Sequence, residues 1–131
     1  MHEPVRSCEL VVVGGRYAIC RFGPKALVPS WVDHGGFWSV SRTADELSIV
    51  CEEDLTPRGM HAERGFSCLK ALGPFDWSEV GVLATLTGAL AASGISMFAI
   101  STFDTDYIFV KEEILPDAID ALREAGHVVQ F

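Results

Sequence analysis

Four carboxylates in the C-terminal half stand where a small charged ligand could be held. Asp76 and Glu79 open a predicted helix, and Asp104 and Asp106 flank Thr105 in a predicted strand-to-strand turn. A small zwitterionic ligand needs donors for its carboxylate and acceptors for its ammonium. A helix N-terminus beside a strand edge offers the donors as unpaired backbone N–H groups, and carboxylates offer the acceptors. The four acidic side chains, with Phe103 placed to cover an aliphatic stem or stack on a guanidinium, slightly favour a ligand with positive charge. Each position also has an ordinary structural reading. Asp76 and Glu79 form a capping box worth ~1 kcal/mol to the helix. Asp104 and Asp106 are common turn residues that bond the local backbone. Met97 and Phe103 are residue types that usually pack in a core. The acidic turn has no partnered nucleophile, base or metal set, so catalysis is not expected.

The remaining reactive residue types form no recognisable constellation. Cys8, Cys20, Cys51 and Cys68 contain no C-x-x-C pair, and His2, His34, His61 and His127 lack metal-ligand spacing. Zinc and disulfide-scaffold readings both lose support. Cys20 and Cys51 lie in apolar strand-like runs, where a thiol behaves as a small hydrophobe. Gly14-Gly15 and Gly35-Gly36 are turn signals without a phosphate-loop pattern. No cofactor is implied.

The elements that must position the acidic residues follow the order strand, helix, strand, strand, helix, strand. Phe66–Leu72 reads as a strand ended by Gly73-Pro74. Asp76 then caps a helix carrying Val80, Leu83, Leu86 and Leu90 at helical spacing, and Gly94 closes it. Ile95–Phe103 and Tyr107–Lys111 are paired strands. Pro116 opens a second helix with an inward stripe of Ala118, Ile119, Leu122 and Ala125, Gly126 ends it, and His127–Phe131 is the last strand. This is the split βαβ, ferredoxin-like order, with two helices on one face of an antiparallel sheet. Both alternating sets of Ile95–Phe103 contain apolar groups, so something must cover the other face as well. Pattern alone admits either the first lobe or a second subunit.

The first half offers strands at Glu9–Val13, Tyr17–Phe22, Phe37–Arg42 and Leu47–Glu52, with a helical turn or two in Ala26–Val32 and a tight connection at Thr43-Ala44-Asp45-Glu46. Asp54–Arg64, interrupted by Pro57 and Gly59, reads as a linker or an irregular crossover. The expected division is residues 1–60 and 61–131.

Composition narrows the function classes. The chain has 131 residues, 49% of them hydrophobic, a formal charge of -8 and a mean hydropathy of +0.27. One small lobe cannot hide that much apolar surface, so burial against a second copy is expected. The charge argues against nucleic acid and against an anionic membrane surface. No window approaches the ~18 apolar residues of a membrane span, and the N-terminus lacks a leader pattern, so a cytoplasmic location is expected.

The run Gly94-Ile-Ser-Met-Phe-Ala-Ile-Ser-Thr-Phe-Asp-Thr-Asp-Tyr-Ile-Phe-Val-Lys-Glu-Glu113, preceded by Phe75-Asp-Trp-Ser-Glu-Val-Gly-Val-Leu83, resembles small bacterial ACT-domain proteins. It is also similar to the ACT domains of the eukaryotic cytosolic arginine sensors. Phe37–Cys51 looks like a degenerate first ACT lobe of the same family. The resemblance implies an α+β chain of tandem ferredoxin-like (βαββαβ) ACT lobes, the first degenerate, that is non-catalytic. It further implies a regulatory homodimer, associated through the C-terminal lobe, that holds a free amino acid at an ACT–ACT interface. Carried over from the sensors, the contacts fall on Asp76 and Glu79, on Ser96 and Met97, and on Phe103 and Asp106. With one well-formed lobe per chain, two chains would have to supply them. A ligand-free dimerisation module, binding a protein partner through an exposed sheet face or edge, is the alternative.

Overall fold

The computed structural model describes residues 7–73 and 81–131. The sequence expectation drew one cut at 60/61. The contacts separate Gly15–Phe66 from a second compact unit made of the residues up to Gly14 together with Ser67–Phe131.

The Gly15–Phe66 unit is built on strands. β1 runs through Glu9–Phe22, β2 through Ser39–Arg42 and β3 through Leu47–Glu52. Tyr17–Phe22 pairs antiparallel with β3, from Tyr17 opposite Glu52 to Phe22 opposite Leu47, and β3 pairs with β2. This register puts Ala18, Cys20, Leu47, Ile49 and Cys51 on one face, where with Val32 they form a buried core, as the two-residue period requires. The expected Thr43–Glu46 connection is present. The Thr43 hydroxyl accepts the Asp45 and Glu46 amides at 3.1 Å each, and Thr43 N–H donates to the Glu46 carbonyl at 2.9 Å. Such a side-chain turn is what a threonine at this position supplies. The helical turn expected in Ala26–Val32 lies slightly later, as a 3-10 turn over Val32–His34.

Two boundaries differ from the sequence reading. Glu9–Val13 and Tyr17–Phe22 are one continuous strand, which passes through Gly15 at φ +88 without ending. The expected linker contributes Ala62–Arg64 to β4, which runs Ala62–Ala71.

The second unit holds the remaining elements: the C-terminal part of β4, α1 (Val82–Ala92), β5 (Phe98–Ser101), β6 (Asp106–Lys111), α2 (Leu115–Glu124) and β7 (Val128–Gln130). Its strands run in the order β7-β1-β4-β6-β5. Glu9–Val11 of β1 pairs in parallel with β7, and β5 pairs antiparallel with β6, Phe98 opposite Phe109 and Ser101 opposite Asp106. This is the expected α+β, ferredoxin-type arrangement, with the start of β1 as an additional strand beside β7. Leu10, Leu69, Ile108, Val110 and Val129 from the strands close on Val82, Leu86 and Leu90 of α1 and on Ala118, Ile119 and Leu122 of α2. Each such side chain contributes roughly 1.5–3 kcal/mol on burial. On the face away from the helices the Phe98 and Phe109 rings stack at 4.6 Å, and Lys70 Nζ stands 5.9 Å over the Tyr107 ring. Both faces of the β5–β6 pair are therefore apolar, as its two alternating residue sets indicate.

Both helices end alike. Gly94 N–H donates to the Ala91 carbonyl and Ile95 N–H to the Leu90 carbonyl, and Gly126 and His127 do the same toward Arg123 and Leu122, all at 3.0 Å. Gly94 (φ +70) and Gly126 (φ +96) supply the left-handed residue this cap needs. The first cap engages Ile95, so β5 begins at Phe98 rather than at the expected Ile95. The helix start expected at Asp76 lies outside the described residues, within which α1 begins after Gly81.

Candidate functional site

The structure places the sequence-derived positions at the two ends of β5. Asp76 and Glu79 lie outside the described residues. Ser96 and Met97 occupy the connection from the α1 cap to β5, with Ser96 exposed and Met97 half-buried against the helix-side core. At the far end Phe103 lies in the β5–β6 turn and Asp106 is the first residue of β6. Phe103 is 79% exposed. The Ser101 hydroxyl donates to Asp106 Oδ1, so Asp106 binds the residue opposite it in the ladder. The turn itself is built by threonines. Thr102 N–H donates to the Thr105 carbonyl at 2.8 Å, and the buried Thr105 hydroxyl donates to the Ala71 carbonyl at the end of β4. Phe98–Ser101 separates the two clusters by roughly 13 Å at about 3.3 Å per residue. One chain thus brings Ser96 beside Met97, and Phe103 beside Asp106, but not the four together.

Ser96 borders a groove of about 520 Å³ between the α1–β5 connection and α2. Ile95, Ile114 and Ala121 give it apolar surface; Asp117, Asp120 and Glu124 line the α2 side, and Lys111 and Ser93 complete the polar lining. The C-terminal carbonyl end of α1 adds partial negative charge on the opposite side. A groove of this character accommodates an ammonium or guanidinium above an aliphatic floor. Sequence reasoning missed the α2 carboxylates. Their spacing at i, i+3 and i+7 was the available signal, but the same spacing describes any solvated helix face. Among the described residues no group of three or more His, Cys, Asp or Glu side chains could hold a metal ion.

Comparison with known proteins shows what the chain is similar to. A family model for the ACT domain matches residues 61–124, and a separate model for an N-terminal domain matches residues 15–59. A crystal structure of a protein from Agobacterium tumefaciens is 38% identical, with a TM-score of 0.91, covering 97% of this chain and 96% of that one. A protein of unknown function from Vibrio cholerae is 24% identical, with a TM-score of 0.74 and coverage of 92% and 91%. The ligand-free regulatory subunit of aspartate kinase from Thermus thermophilus shares the fold, with a TM-score of 0.58 at 12% identity, over 88% of this chain and 99% of that one. No curated protein matches the chain.

Proposed function

Since this chain belongs to the same family as the Agobacterium tumefaciens protein and carries an ACT domain over residues 61–124, we propose that it is a non-catalytic regulatory protein that binds a free amino acid between the ACT domains of two copies. The ACT match is the observation that carries the reading, and the likeness to an aspartate kinase regulatory subunit supports it at the level of fold. The resemblance to the arginine sensors supports the finer assignment of Asp76, Glu79, Ser96, Met97, Phe103 and Asp106 as ligand contacts. The layout of β5 supports the need for two chains. β5 ends the strand order of its unit, and an edge strand is a template for pairing. Antiparallel pairing of β5 with its copy would set the Ser96 end of one protomer beside the Phe103–Asp106 end of the other. The acidic positions favour a basic amino acid, and the proposed setting is the cytoplasm. Among the described residues no helix is long and apolar enough to cross a membrane.

A thermal-shift panel of the twenty amino acids tests the reading. A ligand that binds only the folded state raises its stability by about 2.7 kcal/mol at a hundredfold excess over Kd. A selective rise that is lost in Asp106→Ala supports the sensor. A flat panel at millimolar ligand with a stable dimer favours the second reading, a dimerisation or protein-interaction module. The apolar exposure of Leu27 (88%), Phe103 and Phe131 (82%) favours that reading.

A further inference from the structure

The Gly15–Phe66 unit carries a pair of thiols that amino-acid binding leaves unused. Cys51 lies opposite Ala18 and Cys20 opposite Ile49 in the β1–β3 ladder, so the two cysteines point to the same face on a diagonal. Cys20 and Cys51 are 1% and 0% exposed and share one hydrophobic core. Cys20 also borders a surface pocket of about 190 Å³ lined by Arg21, Ser48, His61 and Glu63. All four cysteines are free thiols, and Cys8 and Cys68 belong to the other unit.

We propose that Cys20 and Cys51 are a reversible redox pair, two adjacent core thiols that a peroxide converts into one cross-strand disulfide. The environment divides the roles. Cys20 titrates below the ordinary thiol range, chiefly because the Cys51 thiol donates to it and further because Arg64 places positive charge nearby, while burial opposes both. Cys51 is pushed the other way by the same hydrogen bond and by burial. Arg64 is held by its bonds to the Thr56 hydroxyl and the Pro57 carbonyl. Cys20, the thiol that borders the surface pocket, takes the attacking role and Cys51 the resolving one. The Cys20 sulfur attacks one peroxide oxygen, an S–O bond forms, the O–O bond breaks, and the departing hydroxide takes up a proton as water. The Cys51 sulfur then attacks the Cys20 sulfenic acid, forming S–S and breaking S–O, and the second water leaves with the Cys51 proton. Diagonal neighbours stand roughly 7–8 Å apart at Cα, at or beyond the upper end of the usual disulfide range of about 4.4–6.8 Å. Closure therefore draws β1 and β3 together, and the strained bond is readily reduced by a dithiol.

The test is oxidation of the native protein with hydrogen peroxide, followed by thiol counting after denaturation and by peptide mapping. The expected result is loss of two of the four thiols, a Cys20–Cys51 linked peptide, and full recovery with dithiothreitol. Cys51→Ser should yield no disulfide but a dimedone-reactive sulfenic acid on Cys20. Four surviving thiols, at a peroxide dose that oxidises the denatured chain, overturn the proposal. So does a linkage through Cys8 or Cys68, or one between molecules. The mapping on the unaltered protein decides the matter even where the serine variant fails to fold.

Discussion

His127 illustrates how one side chain secures the entry of the chain into its sheet. It is 4% exposed, and its Nδ1 accepts the Cys8 backbone N–H at 2.9 Å, while Val128 N–H donates to the Cys8 carbonyl at 3.0 Å. A ring that accepts at Nδ1 carries its proton on Nε2, and Nε2 is buried without a partner among the described residues. His127→Ala removes this buried hydrogen bond and should cost about 1–3 kcal/mol. His127→Asn, which keeps an acceptor near the same place, should cost less; equal losses in urea unfolding would show that packing, not the hydrogen bond, matters. Cys68 gives a pH signature. Burial raises its thiol from 9.0 to about 12. Below pH 9 both folded and unfolded chains keep this proton. Between pH 9 and about 12 only the folded chain keeps it, so this contribution to stability falls with a slope approaching about 1.4 kcal/mol per pH unit. Chemical denaturation at pH 7, 9 and 10.5 should show the decline, and Cys68→Ala should make it shallower.

α2 is the element most fully written in the sequence. Pro116 at its start, Ala118, Ile119 and Leu122 on its inner face, and Gly126 at its end stand where the pattern puts them, while Ala125, expected inward, is exposed just past the last turn. Two substitutions separate its packing from its cap. Leu122→Ala removes a fully buried side chain and should cost 2–5 kcal/mol. Gly126→Ala forces a Cβ into the left-handed region at φ +96 and should cost about 1–2 kcal/mol, read as a lower thermal midpoint with little change in helicity by circular dichroism. The strands were less legible. A glycine pair reads as a turn, yet β1 continues through Gly15, with its flanking segments paired to β3 and β7. An apolar run reads as a strand, yet Ile95 donates to the α1 cap and Met97 packs beneath the helices, so only Phe98–Ser101 joins the ladder. In the first case a long-range pairing decided the boundary and leaves no trace in local composition; in the second Gly94 marked the cap but not that its bonding would reach Ile95.

At the scale of the whole molecule, the candidate site was legible as residue types and not as a place. Ser96, Met97, Phe103 and Asp106 lie close in sequence, but β5 spans the interval and sets them at opposite ends. Sequence proximity within a strand means distance along it, and only a second chain running antiparallel would reverse that separation. This makes the proposed two-chain site testable by mixing. Ser96→Trp blocks one half of each composite site and Asp106→Ala disables the other, so each variant alone should bind none of the amino acid found by the thermal-shift panel. When the two are mixed equally and allowed to exchange subunits, about half the dimers are mixed, and each of these contains one site built from two undamaged halves. Calorimetry should then recover about a quarter of the wild-type sites at the wild-type Kd. If each variant remains dimeric and the mixture still binds nothing, one chain holds the whole site and the β5-to-β5 arrangement is wrong. If either variant alone keeps full stoichiometry, its mutated residue lies outside the site.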